Sequence, residues 1–152
     1  MNKNNKAIIC GGCFWGIEEN FRTKPGIIST EVGYTGGKTD SPTYESVCSG
    51  KTGHAECVQL IFDKNIISYE KIIDLFFKMH DPTQKDMQFP DIGTQYRSEI
   101  FFVDEEQKTI AINVRDKFNN LLDNKVVTNI NPLTEFFRAE EYHQKYIEKN
   151  RK

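Results

Sequence analysis

Apolar positions along the chain switch between the period of a strand and that of a helix, and the switches outline alternating elements. Lys6-Ala7-Ile8-Ile9-Cys10 is a short apolar run ending at Gly11-Gly12, which reads as a buried strand. Phe14 to Arg22 then suits a helix, with Glu18 and Glu19 early in it and Pro25-Gly26 closing it. Ile27 to Tyr34 is a β-rich run stopped by Gly36-Gly37, and Lys38 to Pro42 is a loop. Ala55 to Asp63 alternates as a strand, and Ser68 caps an amphipathic helix carrying Ile72, Ile73, Phe76 and Phe77. Periodicity fails from His80 to Gln95, where Asp81-Pro82, Pro90-Asp91 and Gly93 predict a long loop of the kind that often carries function. Arg97 to Val103 predicts a strand. Asp104 with Gln107 predicts a helix start, with Ile110, Val114, Phe118 and Leu121 as the buried stripe behind it. Val126 to Ile130 predicts a last strand, and Glu140 to Lys149 a short polar terminal helix. Helices interleave with strands, so the expected class is α/β, built as an α+β two-layer sandwich. A mixed sheet with helices packed on it, ferredoxin-like, would occupy one domain over residues 1–152.

Length and charge narrow what such a domain can do. A chain of 152 residues buries roughly 68–70% of the surface its unfolded form exposes, so it needs no metal or disulfide staple. Lys and Arg number 20 against 22 Asp and Glu, a net charge of −2, which lacks the basic excess that nucleic-acid phosphates demand. No apolar run approaches the ~18 residues of a membrane span. The apolar stretch behind the polar start, Met1 to Lys6, is too short for a signal-peptide core. The expectation is a cytoplasmic monomer that binds neither nucleic acid nor membrane. Cytoplasmic thiols stay reduced, so Cys10, Cys13, Cys48 and Cys57 read as reactive, metal-binding or buried rather than as a disulfide framework.

Chemistry concentrates around Cys13. It follows two glycines and opens the first helix, where unpaired N–H groups and the macrodipole favour an anion. A thiolate there is expected to have a pKa below the free value of about 8.5. Phe14 and Trp15, the one Trp of the chain, follow it and can wall a small apolar pocket. A buried structural cysteine between core aromatics is the plain alternative. Glu56 stands in strand phase with Val58, Leu60 and Phe62, so its carboxyl is drawn inward. Burial raises a carboxyl pKa and makes a proton donor near neutral pH. The alternative is a strand-end Glu in water beside Gly53. Thiol and acid together suit attack on an electrophile whose leaving oxygen must be protonated.

Gly12-Cys13-Phe14-Trp15-Gly16 resembles the active-site motif of the peptide methionine sulfoxide reductase A family. The resemblance continues through Glu31-Val32-Gly33-Tyr34, Pro42-Thr43-Tyr44-Glu45, Cys48-Ser49-Gly50 and Gly53-His54-Ala55-Glu56. It runs on through His80-Asp81-Pro82-Thr83-Gln84, Asp91 to Ser98 and Ala139 to Gln144. The resemblance implies that Cys13 attacks the sulfoxide sulfur and that Glu56 protonates the sulfoxide oxygen. It implies that Tyr44 and Tyr96 donate hydrogen bonds to that oxygen, that Asp91 lines the site, and that Phe14 and Trp15 hold the S-methyl group. The implied product is methionine from the S epimer, leaving a Cys13 sulfenic acid, in a repair enzyme that acts on oxidised proteins or peptides.

No cofactor is expected beyond an external thiol reductant. Many members of that family carry resolving cysteines near the C-terminus for thioredoxin, whereas the residues after Cys57 hold no cysteine. That leaves glutathione with glutaredoxin, or resolution by Cys10, Cys48 or Cys57 ahead of thioredoxin. Alternation points Cys57 away from Glu56, and Cys10 reads as a strand residue turned into the core. Three rival readings stand beside this one. Cys10-x-x-Cys13 with His54-x-x-Cys57 has zinc-like spacing, although the order is wrong for a zinc deaminase. A thioredoxin-like reading pairs Cys10 with Cys13. A binding module would use the aromatic pocket without turnover. His80 and His143 read as structural or exposed.

Overall fold

The computed structural model describes residues 5–150, so residues 1–4 of the polar start and the last two of the tail lie outside the description. In chain order the elements are β1 (Lys6–Cys10), α1 (Phe14–Arg22), β2 (Ile27–Thr35), α2 (Tyr44–Cys48), β3 (Ala55–Phe62), α3 (Tyr69–Met79), β4 (Met87–Gln88) and β5 (Asp91–Ile92). After a 3₁₀ turn at Thr94–Tyr96 come β6 (Glu99–Phe102), α4 (Glu105–Leu121), β7 (Asn129–Pro132) and β8 (Phe137–Arg138). A second 3₁₀ turn, Glu141–His143, leads to α5 (Tyr146–Lys149).

Six strands form one mixed sheet in the order β7-β6-β1-β3-β2-β8, antiparallel except for the parallel β6–β7 pair. β1, apolar from Ala7 to Cys10, lies inside the sheet between β6 and β3 with both of its faces covered. One face carries Ala7, Ile9, Val32, Val58, Leu60 and Ile100 against the apolar stripes of α1, α3 and α4. On the other face Ile8, Cys10, Ala55, Cys57 and Phe101 pack under Leu133 and Phe136.

Helix starts follow their caps. Ser68 accepts from the Lys71 N–H at α3, and Asp104 from the Gln107 N–H at α4. The Gln107 side chain then donates to the Lys6 carbonyl and ties α4 to β1. Along α4, Ala111, Val114 and Phe118 are buried, but Leu121, the last residue of the helix, is 69% exposed.

The region 80–95 is not a bare loop. It folds into the two-stranded hairpin of β4 and β5, with Gln88 opposite Asp91. The last strand lies at Asn129–Pro132 rather than Val126–Ile130, and the terminal helix is broken into the 3₁₀ turn and α5. The break follows from tertiary bonding. The Gln144 side chain acts as a strand residue for β2, accepting from the Val32 N–H and donating to the Val32 and Ala139 carbonyls, each at 2.9 Å.

Candidate active site

The C-terminal ends of β1 and β2 and the N-terminal ends of β3 and β6 meet at one end of the sheet. Cys13 sits there as the N-cap of α1, half-buried. Gly12, at φ +87°, donates its N–H to the Tyr96 carbonyl at 3.1 Å, so the turn before Cys13 holds the turn that carries Tyr96. A Cβ on Gly12 would lie 3.0 Å from Cβ of Gln88, which requires glycine where the β4–β5 hairpin crosses. The same hairpin brings Asp91 close enough to raise the pKa of both Cys13 and Glu56 by its charge.

Glu56 pairs across the sheet with Tyr34 and is 1% exposed. Its Oε1 accepts the Phe14 N–H at 3.2 Å, which places the carboxyl at the first turn of α1 beside Cys13. Burial pushes the carboxyl pKa up to about 8, with Asp91 adding to the shift and the Phe14 hydrogen bond opposing it. The proton is therefore held at neutral pH.

The thiol runs against the expectation from its helix position. Burial first, then the charge of Glu56, push the Cys13 pKa up to about 12, although the Trp15 and Gly16 N–H groups pull the other way. A helix N-terminus supplies partial charge, and desolvation beside carboxylates outweighs it here. Burial likewise raises the Tyr44 and Tyr96 phenols, Tyr96 to about 12, so both remain hydrogen-bond donors. Cys13, Phe14, Trp15, Tyr44, Glu56, Asp91 and Tyr96 thus converge on one site from α1, α2, β3, β5 and a 3₁₀ turn.

Two further residues complete it. His143 is 1% exposed, its ring packed on Phe14, Trp15 and Tyr44. Trp15 Nε1 donates to His143 Nδ1 at 3.0 Å, and the indole stacks on Tyr146 with centroids 3.7 Å apart. Burial lowers the His143 pKa, so the ring is a neutral acceptor that fixes the indole. Glu140 accepts from the Tyr34 hydroxyl and from the Tyr44 N–H, each at 2.9 Å, which anchors the start of α2. Neither residue stands out by periodicity, because each reaches the site from about a hundred residues away in sequence. Only the Ala139 to Gln144 motif marked their segment. His80 has no part in the site: it is held by the Phe76 carbonyl and the Ser98 hydroxyl, and burial lowers its pKa to about 4.

The cysteines separate into two sets. Cys10 and Cys57 are directly opposite on β1 and β3, with Cα atoms 4.3 Å apart, and form a disulfide on the sheet face away from α1. The expectation that no disulfide forms is thereby corrected, since antiparallel register brings the two Cβ atoms together. The bond also removes the Cys10–Cys13 pairing. His54 is engaged with Gly37 N–H and the Thr39 carbonyl. Among the described residues no group of three or more His, Cys, Asp or Glu could hold a metal ion. Cys13 and Cys48 remain free.

Fold and site bring together a thiol, a protonated carboxylic acid and two phenols, groups suited to an enzyme whose substrate carries a polar oxygen. The family model for peptide methionine sulfoxide reductase matches residues 5–152. MsrA of Methanosarcina acetivorans is 51% identical over 95% of this chain and 78% of its own. MsrA of Pelagibacter ubique is 52% identical over 94% of this chain and 97% of its own. Among solved structures, reduced Mxr1 from Saccharomyces cerevisiae matches with a TM-score of 0.89 and 35% identity, covering 95% of this chain and 84% of its own. Methionine sulfoxide reductase A of Corynebacterium diphtheriae matches at 0.87 and 33%, covering 98% and 76%. The chain belongs to the MsrA family of peptide methionine sulfoxide reductases.

Proposed function

We propose that this peptide-methionine (S)-S-oxide reductase works through Cys13 as nucleophile and Glu56 as proton donor. The observation that carries it is the buried, protonated Glu56 held at the first turn of α1 beside Cys13. Tyr44 and Tyr96 donate hydrogen bonds to the sulfoxide oxygen, while Phe14 and Trp15 receive the S-methyl group. Asp91 keeps negative charge near the acid and so favours its protonated form. Cys13 sulfur attacks the sulfoxide sulfur while Glu56 gives its proton to the oxygen. The S–O bond and the transient bond between the two sulfurs then break, the hydroxyl passes to the Cys13 sulfur, and methionine is released. The thiol proton returns to Glu56. Methionine sulfur gains two electrons, and Cys13 loses two and becomes a sulfenic acid.

Residues 1–152 act as one catalytic domain and as a monomer, in the cytoplasm, where Cys13 and Cys48 stay free while the Cys10–Cys57 bond, 0% exposed at both residues, is shielded from reductants. The four strands β6-β1-β3-β2 with α1 and α3 follow the βαββαβ order of a ferredoxin-like unit. The electron donor is a thioredoxin, or glutathione with glutaredoxin. Mxr1, the yeast relative, has been solved in complex with Trx2, which favours the first.

The test is turnover of separated S and R epimers of a methionine sulfoxide peptide with dithiothreitol, glutathione–glutaredoxin and thioredoxin in parallel. Reduction of the S epimer alone, abolished by Cys13→Ser, is expected. Turnover that survives in Cys13→Ser would refute the assignment.

A further inference from the structure

We infer that Cys48 is the resolving thiol of this enzyme, which captures the Cys13 sulfenic acid as a Cys13–Cys48 disulfide. The inference rests on the reading of Cys13 as the oxygen-accepting nucleophile. Three observations support it. Cys10 and Cys57 are bonded to each other and wholly buried on the opposite face of the sheet, so neither faces Cys13 as a thiol. Cys48 ends α2, one helical turn after Tyr44, so the two side chains are neighbours on one face of that helix. The Tyr44 ring packs on His143 with Phe14 and Trp15, the residues that follow Cys13, so Cys48 borders the site from the Tyr44 side. Glu56, Tyr96 and Glu140 lie within electrostatic reach of Cys48, and Glu56 and Tyr96 are likewise neighbours of Cys13.

Position suits the second half of the cycle as well. Cys48 is exposed whereas Cys13 is half-buried, so an external dithiol reaches Cys48 first. The helix that must move to close the bond has only five residues. It is followed by Gly50, at φ +76° and with open space where a Cβ would stand, and by Gly53 at φ +78°. In the step itself the Cys48 sulfur attacks the Cys13 sulfur, the Cys13 S–O bond breaks, and the oxygen leaves as water with the Cys48 thiol proton. The disulfide then takes two electrons and two protons from the external dithiol.

The experiment is one turnover of the full chain with a stoichiometric S-sulfoxide peptide and no reductant, followed by thiol titration under denaturing conditions and tryptic mapping. Two thiols lost per methionine formed are expected. Trypsin should then give peptide 7–22, which holds Cys10 and Cys13, linked to both 52–64 and 39–51. Cys48→Ser should lose one thiol and accumulate a dimedone adduct on Cys13. Loss of a single thiol in the parent protein, with dimedone on Cys13, would overturn the inference. So would a new Cys10–Cys13 link that releases Cys57. Absence of methionine would instead overturn the reading of Cys13, and this inference with it.

Discussion

Glu56 carries its proton because a strand with period two turns it inward and the first turn of α1 closes over it. Its folded pKa, about 8, lies above the ordinary carboxyl value of 4.5. The acid is therefore present below about pH 8 and lost above it. Methionine formation in a single turnover should fall as pH rises through about 8. Glu56→Gln keeps an acceptor for the Phe14 N–H but cannot give a proton. It should cut the rate by about 10²–10⁴ and lose the alkaline limb, read by quenched flow against pH. The same descending limb in the Gln variant would remove Glu56 as the donor. Stability follows the same sign: the folded state binds this proton more tightly. Its contribution is full below pH 4.5 and lost as pH rises to about 8, so the variant should gain on the parent over that window. Strand phase made the burial of Glu56 legible. The raised thiol of Cys13 was not, because the desolvation and the carboxylates responsible come from β3 and β5.

At the scale of elements, local signals worked where an element's residues are their own neighbours. The α3 and α4 caps sit where Ser68 and Asp104 predict them, since a cap bonds an N–H three residues on. Asp104→Ala should cost about 1 kcal/mol, seen as a lower urea midpoint with unchanged slope, and no shift would mean that Gln107 alone holds the helix start. The short elements escaped the pattern, the two-residue β8 among them. The five-residue α2 is shorter than any helical period shows, and depends on the Thr43–Ser46 capping box and on Glu140. The β4–β5 hairpin has two residues a side. Segment 139–150 takes its shape from bonds to β2 and α1, including the Lys145 N–H to the buried Glu18, so its own polarity suggested a plain helix.

The whole molecule is held by contacts between positions far apart in sequence. The Cys10–Cys57 disulfide joins positions 47 apart in sequence beneath the sheet, away from the site. Replacing both by Ala should lower stability by up to about 4 kcal/mol, the loop-entropy value for a closure of that length, while S-sulfoxide reduction continues. An unchanged urea midpoint would show that the bond adds nothing to stability. The sequence by itself determined the strand and helix frame, the caps, the inward phase of Glu56 and the motifs that mark the family, because each depends on spacing within one element. Only the tertiary structure decided which cysteines meet, the pKa of Cys13, and the supporting roles of His143 and Glu140. Those depend on distances between elements, which sheet register and the return of the C-terminal segment onto β2 set.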